Sequence, residues 1–185
     1  MRKLIYSMGV SLDGYIAGLD GEIDWSAPDE ELHRFHNKQA RETGVHLLGR
    51  RLYQTMLPWD ITDESHWSSE YELEFARIWK GVTKVVFSRT LDEVEGGARL
   101  VKENAVEEVV ALKEQEGEDL SVGGADLAAS FIERGLVDEY RLFVSPVVLG
   151  GGTPYFPNLE QRIQLDLVES RTFGNRVVYL RYQRS

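Results

Sequence analysis

Three segments, Gly49-Arg50-Arg51, Ser88-Arg89-Thr90 and Gly123-Gly124-Ala125, share one design: a short apolar run ends, and glycine or a small polar residue follows. That design suits phosphate. At the carboxyl end of a β-strand, free backbone N–H groups and the positive end of a helix dipole face one point, and glycine lets the chain approach closely. The guanidinium forks of Arg50, Arg51 and Arg89 suit an adenosine 2′-phosphate, whereas a free ribose hydroxyl asks for a carboxylate. The expected cofactor is therefore NADPH over NADH. Each segment is weak alone, and a lone Gly-Gly more often serves helix packing. The shared order and the arginines carry the joint reading.

Other chemistry-bearing patterns are fewer. His33 and His36 stand three apart on one helix, a metal-compatible spacing, but no third ligand completes a site, so they read as a packed or solvated helix face. His46 and His66 receive no role. With no cysteine, disulfides, thiolate metal sites and cysteine nucleophiles are excluded. A formal charge of -10, from 21 basic and 31 acidic residues, repels nucleic acid and anionic membranes. The start has no signal-peptide pattern and no eighteen-residue apolar run occurs, so a soluble, cytoplasmic protein is expected.

The elements that must hold these segments alternate between strand and helix. Leu4 to Val10 reads as a strand, and Gly14 interrupts before Tyr15-Ile16-Ala17. Pro28 with Asp29, Glu30 and Glu31 predicts a helix start, running to about Glu42. Val45 to Leu48 predicts a strand passing at Gly49 into a helix closed before Pro58. Trp67, Tyr71, Phe75 and Ile78 repeat at helical spacing and read as core. Strands at Lys84–Phe87 and Leu120–Val122 alternate with helices around Val106–Leu112 and Leu127–Ile132. Tyr140 to Leu149 is strand-like with Pro146 demanding an edge or bulge, and Leu165–Phe173 with Val177–Tyr182 flank a hairpin turn at Gly174-Asn175. No repeat or linker divides the 185 residues, which suit one domain spanning 1–185.

Here the chain resembles the dihydrofolate reductase-like family, in particular stand-alone relatives of the reductase domain of bifunctional riboflavin-biosynthesis deaminase-reductases. The resemblance rests on Ser11-Leu12-Asp13-Gly14-Tyr15-Ile16-Ala17, Leu48-Gly49-Arg50-Arg51, Val122-Gly123-Gly124, and Gly135-Leu136-Val137-Asp138-Glu139 through Pro146-Val147-Val148-Leu149-Gly150-Gly151-Gly152. It implies a three-layer α/β/α fold whose central sheet is mostly parallel with an antiparallel C-terminal hairpin, NADPH across the carboxyl edge, and dimerisation.

By position, the resemblance places Gly49, Arg50 and Arg51 under the 2′-phosphate side and Ser88 with Arg89 beside the adenosine. It places Gly123, Gly124, Ala125, Asp126 and Leu127 at the pyrophosphate, and Gly9, Val10, Ile16 and Ala17 along the nicotinamide. Asp13 is the catalytic and substrate-binding candidate, a carboxylate that could orient the substrate or supply a proton; as half of an Asp-Gly pair it also reads as turn chemistry. Trp25 is a substrate-side candidate. Asp24, Glu30 and Glu31 lie where classical dihydrofolate reductases place a pterin-binding carboxylate, and as helix-start charges Glu30 and Glu31 read first as dipole partners. Leu52 replaces a threonine common in those enzymes, removing one hydroxyl contact to phosphate. Val122 stands where riboflavin-pathway reductases carry glutamate.

The function expected is an NADPH-dependent reductase delivering hydride to a C=N or C=O group of a small heterocyclic, pterin- or pyrimidine-like, or sugar-derived substrate. The alternatives are the riboflavin-pathway reductase step itself and a non-catalytic nucleotide-binding module. A homodimer is also expected, because Tyr140 to Leu149, followed by Tyr155 and Phe156, reads as an apolar surface in need of covering.

Overall fold

Leu4, Tyr6 and Val10 alternate with Ser7 and Gly9 along the first strand, and a strand sends alternate residues to opposite faces. One face is thus bulky and the other nearly bare. The structure is a computed structural model describing residues 1–185. Its strands are β1 (Leu4–Ser11), β2 (Tyr15–Ala17), β3 (Val45–Gly49), β4 (Thr83–Phe87), β5 (Arg99–Val101), β6 (Leu120–Gly123), β7 (Glu139–Ser145), β8 (Thr153–Pro154), β9 (Leu165–Thr172) and β10 (Val178–Arg184). The helices are α1 (Glu30–Arg41), α2 (Arg50–Met56), α3 (Pro58–Ile61), α4 (Glu70–Gly81), α5 (Ala105–Glu114) and α6 (Ala125–Ile132).

Eight strands form one sheet in the order β5-β4-β3-β6-β1-β7-β10-β9. All neighbours from β5 to β7 are parallel, and β10 and β9 complete the edge as an antiparallel hairpin. On the bulky face Leu4, Tyr6, Leu120 and Val122 pack with Val109 and Leu112 of α5 and Phe131 and Ile132 of α6. On the opposite face Ala40 of α1 and Phe75 and Trp79 of α4 pack with Leu48 and Val86, and Leu32 packs with Phe143 and Tyr179. These two apolar layers make the three-layer α/β/α fold of the dihydrofolate reductase type.

Local chemistry sets the helix starts. Asp29 caps α1 by accepting from Leu32 N at 3.0 Å, so Pro28 lies just outside the helix instead of in its first turn. Ser69 and Glu72 form a reciprocal capping box at α4. Pro58, expected only to close α2, opens the short α3 at a position where its missing N–H costs nothing. Trp67 precedes α4 and stacks on Trp59, ring centroids 3.9 Å apart.

The strand expected to reach Leu149 stops at Ser145, immediately before Pro146. It therefore lies inside the sheet, paired to β1 and β10, with no bulge demanded. Tyr140, Phe143 and Tyr155 are buried within the single chain, so this strand leaves no apolar surface for a partner to cover. No helix is long and apolar enough to cross a membrane.

Candidate functional site

The bare face of the central strands creates the site. Ser7 and Gly9 of β1 share this face with Ser121, which pairs with Ile5, and with Gly123 of β6, and these small residues leave a hollow of about 380 Å³ between sheet and α1. Its walls are His33 and His36 of α1, Trp59, and Phe75 and Trp79 of α4. A second cavity, a cleft of about 880 Å³, opens at the carboxyl ends of β3 and β6. Met8 and Leu52 line both, forming the wall between pocket and cleft.

The cleft gathers most of the segments singled out in the sequence: Ile16 and Ala17 on one side, Gly49, Arg50 and Arg51 on another, and Gly124, Ala125, Asp126 and Leu127 on a third. Neither α2 nor α6 has a side-chain cap at its start, in contrast to α1 and α4. The first intrahelical bond of α6 runs from Ala128 N to Gly124 O at 3.0 Å, which leaves the preceding amides of its first turn free for a ligand. Arg50, Arg51 and Arg89 are exposed, and none pairs with a carboxylate. Arg50 donates to Thr90 Oγ1 at 2.9 Å, tying the Gly49-Arg50-Arg51 segment to the Ser88-Arg89-Thr90 segment that follows β4. Ser88 and Arg89 stand beyond the cleft lining, reached through this contact; the Ser88 hydroxyl accepts from the backbone of Thr90 and Leu91. Asp20 and Asp126 also line the cleft, so its positive charge is local to the start of α2. Uncapped amides and unpaired guanidinium groups together fit the diphosphate and 2′-phosphate of NADPH.

Other candidates lie elsewhere. Gly9 and Gly123 line the pocket instead of the cleft, Gly123 directly against Leu52. Val10 is buried in the core and lines neither cavity. Trp25 donates its indole N–H to Glu22 O at 3.2 Å and also lines neither.

Asp13 is a clamp. Its carboxylate accepts from Ser11 Oγ at 2.7 Å, Leu149 N at 3.1 Å and Gly150 N at 2.7 Å, and it borders neither cavity. These bonds, that from Ser11 first, hold its pKa below the usual carboxylate value. The bonds accord with its turn reading and have a consequence for the cleft. The clamp seats the glycine loop against β2: a Cβ on Gly152, φ 137°, would lie 2.0 Å from Ala17 O. Asp13 thus positions the Ile16-Ala17 wall from outside.

The carboxylates expected near a pterin also turn away. Glu30 pairs with Arg34, and Glu31 with Arg171 and Gly174 N at 3.0 Å, so no acidic side chain lines the pocket. The histidines, read from sequence as a helix face without function, turn inward. Burial pushes His36 and His46 down to about 4, helped by His33 in one case and Lys84 in the other, and burial also lowers His33. They are neutral imidazoles near pH 7. Their inward face was visible as Leu32, His33, His36 and Ala40 at helical spacing, but only α4 opposite reveals the hollow they enclose.

The two adjacent glycines have different physical requirements. Gly124 holds φ 98° and ψ 123°, backbone that an L side chain resists, although a Cβ there would sit an ordinary 3.7 Å from Gly49. Gly124→Ala should therefore cost about 1–3 kcal/mol of stability. A Cβ on Gly123 would instead meet the mobile tip of Leu52, 2.1 Å away, and displace it. Urea denaturation should show Gly123→Ala as the milder of the two; the reverse order would refute this reading of the turn. Loss of ligand affinity in Gly124→Ala alone would thus mix strain with phosphate contact.

Comparison with known proteins agrees with this architecture. The RibD C-terminal domain family matches residues 2–179. The uncharacterized protein YyaP of Bacillus subtilis (strain 168) is 38% identical over 182 residues, covering 98% of this chain and 94% of YyaP. A crystal structure of a putative riboflavin biosynthesis protein from Shewanella sp. PV-4 superposes with a TM-score of 0.78 at 25% identity, over 100% of this chain and 99% of that one. Dihydrofolate reductase from Enterococcus faecalis, complexed with NADP(H), superposes with a TM-score of 0.68 at 16% identity, over 99% and 96% of the two chains. With nearly the whole chain matched and the same sheet recovered, the protein belongs to the RibD C-terminal domain family.

Proposed function

We propose that this protein is an NADPH-dependent reductase acting on a small molecule held beneath α1. The observation that carries the reading is the pair of cavities meeting at Met8 and Leu52, one built for a dinucleotide and the other for a ring. When bound, NADPH supplies a hydride. Arg50 and Arg51 hold its 2′-phosphate, the free amides at the start of α6 hold its diphosphate, and Ile16 and Ala17 cover its nicotinamide side. Met8 and Leu52 form the boundary where the two ligands meet. The pocket offers no carboxyl group and its imidazoles are neutral, so the proton completing the reduction comes from solvent. Family membership favours a second reading, the reductase step of riboflavin biosynthesis, which differs in substrate and not in cofactor.

The cofactor part is tested by titrating the protein with NADPH and NADH calorimetrically. NADPH should bind the more tightly, and Arg50→Ala should weaken it by about 1.5–3 kcal/mol while leaving NADH affinity nearly unchanged. Equal affinities would remove the 2′-phosphate assignment. A chain that binds NADPH yet oxidises it with no pterin, pyrimidine or carbonyl compound would be a nucleotide-binding module.

A homodimer is proposed on different ground from the buried β7. Leu12 and Val148, 67% and 66% exposed, lie on neighbouring loops joined by the Leu12 N to Val147 O bond. Light scattering at micromolar concentration should show a species twice the 21.1 kDa monomer. Leu12→Asp should dissociate it, and a monomer at every concentration would refute the proposal.

A further inference from the structure

Resting on the reductase reading, we infer that the pocket beneath α1 takes an uncharged, ring-bearing carbonyl compound. The carbonyl to be reduced sits beside Met8, Leu52 and Ser7, and a second hydrogen-bonding group opposite it rests on Ser121 and His46. The first support is charge. No aspartate or glutamate lines the pocket, and its single cation, Arg141, is held by buried Glu139 at 2.7 Å. A charged substrate would lose its hydration here and gain no counter-ion. A pterin would find no carboxylate for its amidine-like edge, because Glu30 and Glu31 are spent on Arg34 and Arg171.

The second support is the placement of polar atoms. His46 Nε2 is buried with no hydrogen-bond partner, although its ring lines the pocket, and an orphaned buried nitrogen is expected to find one in a ligand. His46 lies directly opposite Ser121 on the neighbouring strand, Ile5 flanks Ser121 on its other side, and Ser7 therefore lies level with Gly123 at the Leu52 end. From Ser121 to Gly123, which touches Leu52, is two residues of strand, or about 6–7 Å. That span leaves room for a six-membered ring with one carbonyl directed to each end. Trp59, Phe75 and Trp79 supply the flat apolar walls.

The reduction balances without any further reactant. A hydride passes from NADPH to the carbonyl compound, the C=O π pair moves onto oxygen, and that oxygen takes one proton from solvent. The products are NADP⁺ and an alcohol; where the ring is a quinone, that alcohol tautomerises to the hydroquinone as the carbon bearing the new hydrogen releases a proton to solvent and the second oxygen takes one up.

The test uses the full chain without cofactor, so that binding is read apart from turnover. Naphthoquinone, its sulfonate and dihydrofolate are titrated while tryptophan fluorescence is followed, Trp59 and Trp79 lying in the wall. The absence of cysteine removes thiol addition to the quinone as a complication. Naphthoquinone should quench saturably, and the sulfonate and dihydrofolate should bind at least tenfold more weakly. Ser121→Val should weaken naphthoquinone at least tenfold with a cooperative melting transition retained. Ser7→Val, on the adjacent strand, should do the same and serves if Ser121→Val does not fold. Sulfonate or dihydrofolate binding as tightly as naphthoquinone, or quenching unmoved by either variant, overturns the inference. A parallel NADPH titration separates the two claims. If NADPH binds and naphthoquinone does not, the substrate class falls and the cofactor reading stands. If naphthoquinone binds and NADPH does not, the reductase reading falls and the acceptor role falls with it.

Discussion

Asp60→Ala should cost about 3–5 kcal/mol of folding stability, because it strands a buried cation. Asp60, in α3, accepts from Lys84 Nζ at 2.8 Å through one oxygen and from Trp79 Nε1 at 3.0 Å through the other. The two charged side chains are 4% and 2% exposed, so water cannot replace a lost partner. Lys84 would keep only the Trp79 carbonyl, 2.6 Å away. The pair also anchors the pocket: Asp60 follows Trp59, and Trp79 and Trp59 are both in its wall. Urea denaturation of Asp60→Ala, Lys84→Met and the double variant Asp60→Leu/Lys84→Met gives the decisive comparison. The double variant should recover much of the loss, since two apolar side chains leave no unpaired charge. A single-variant cost below about 1 kcal/mol would mean that solvent reaches the pair, as it does at surface ion pairs.

The gathering of segments at the cleft was legible in the sequence and the pocket beneath α1 was not, for a physical reason. Gly49-Arg50-Arg51 and Gly123-Gly124 carry local signals, because a turn from strand to helix is made by consecutive residues. The alternation that empties one face of β1 and β6 is also written locally, in Ser7, Gly9, Ser121 and Gly123. Its meaning depends on those strands being neighbours, with Leu4 opposite Leu120, and no periodicity reports a pairing over that separation. Asp13 shows the same limit. Asp-Gly announces a turn, but the amides that take up its carboxylate belong to residues 136 and 137 positions away. Pro146 misled in the opposite sense: it was read as a flaw within a strand and is the reason the strand stops. The short β5 and β8 passed unnoticed because two or three residues display no period. The His33 and His36 face of α1 was read as packed or solvated, and packing and lining a cavity look identical from one element.

Those buried imidazoles should make stability fall between about pH 6.5 and pH 4, a window that carboxylates do not share. His36 and His46 titrate near 6.5 when unfolded and near 4 in the fold, because burial disfavours the imidazolium. Within that interval the unfolded chain binds more protons than the native one, so stability rises with pH. The contribution is complete above pH 6.5 and is lost as pH falls toward 4. At about pH 5 each histidine should have removed about 2 kcal/mol, and the two together about 4 kcal/mol. His33, also lowered, adds in the same direction. The surroundings offer no compensating anion at close range: His36 packs on Phe143 beside His33, and His46 on Trp79 beside Lys84. Depressed carboxylates such as Asp13, Glu31 and Glu139 act lower, since their contribution stays whole until pH reaches the unfolded carboxylate range near 4. Denaturation in urea at about pH 7.5 and about pH 5 should therefore expose the histidines alone. His36→Leu should remove close to half of the pH dependence while retaining stability at the higher pH, since an apolar side chain fills the same site without titrating. Equal stability at the two pH values would mean that these imidazoles accept protons without leaving the fold, and that the pocket they line admits charge.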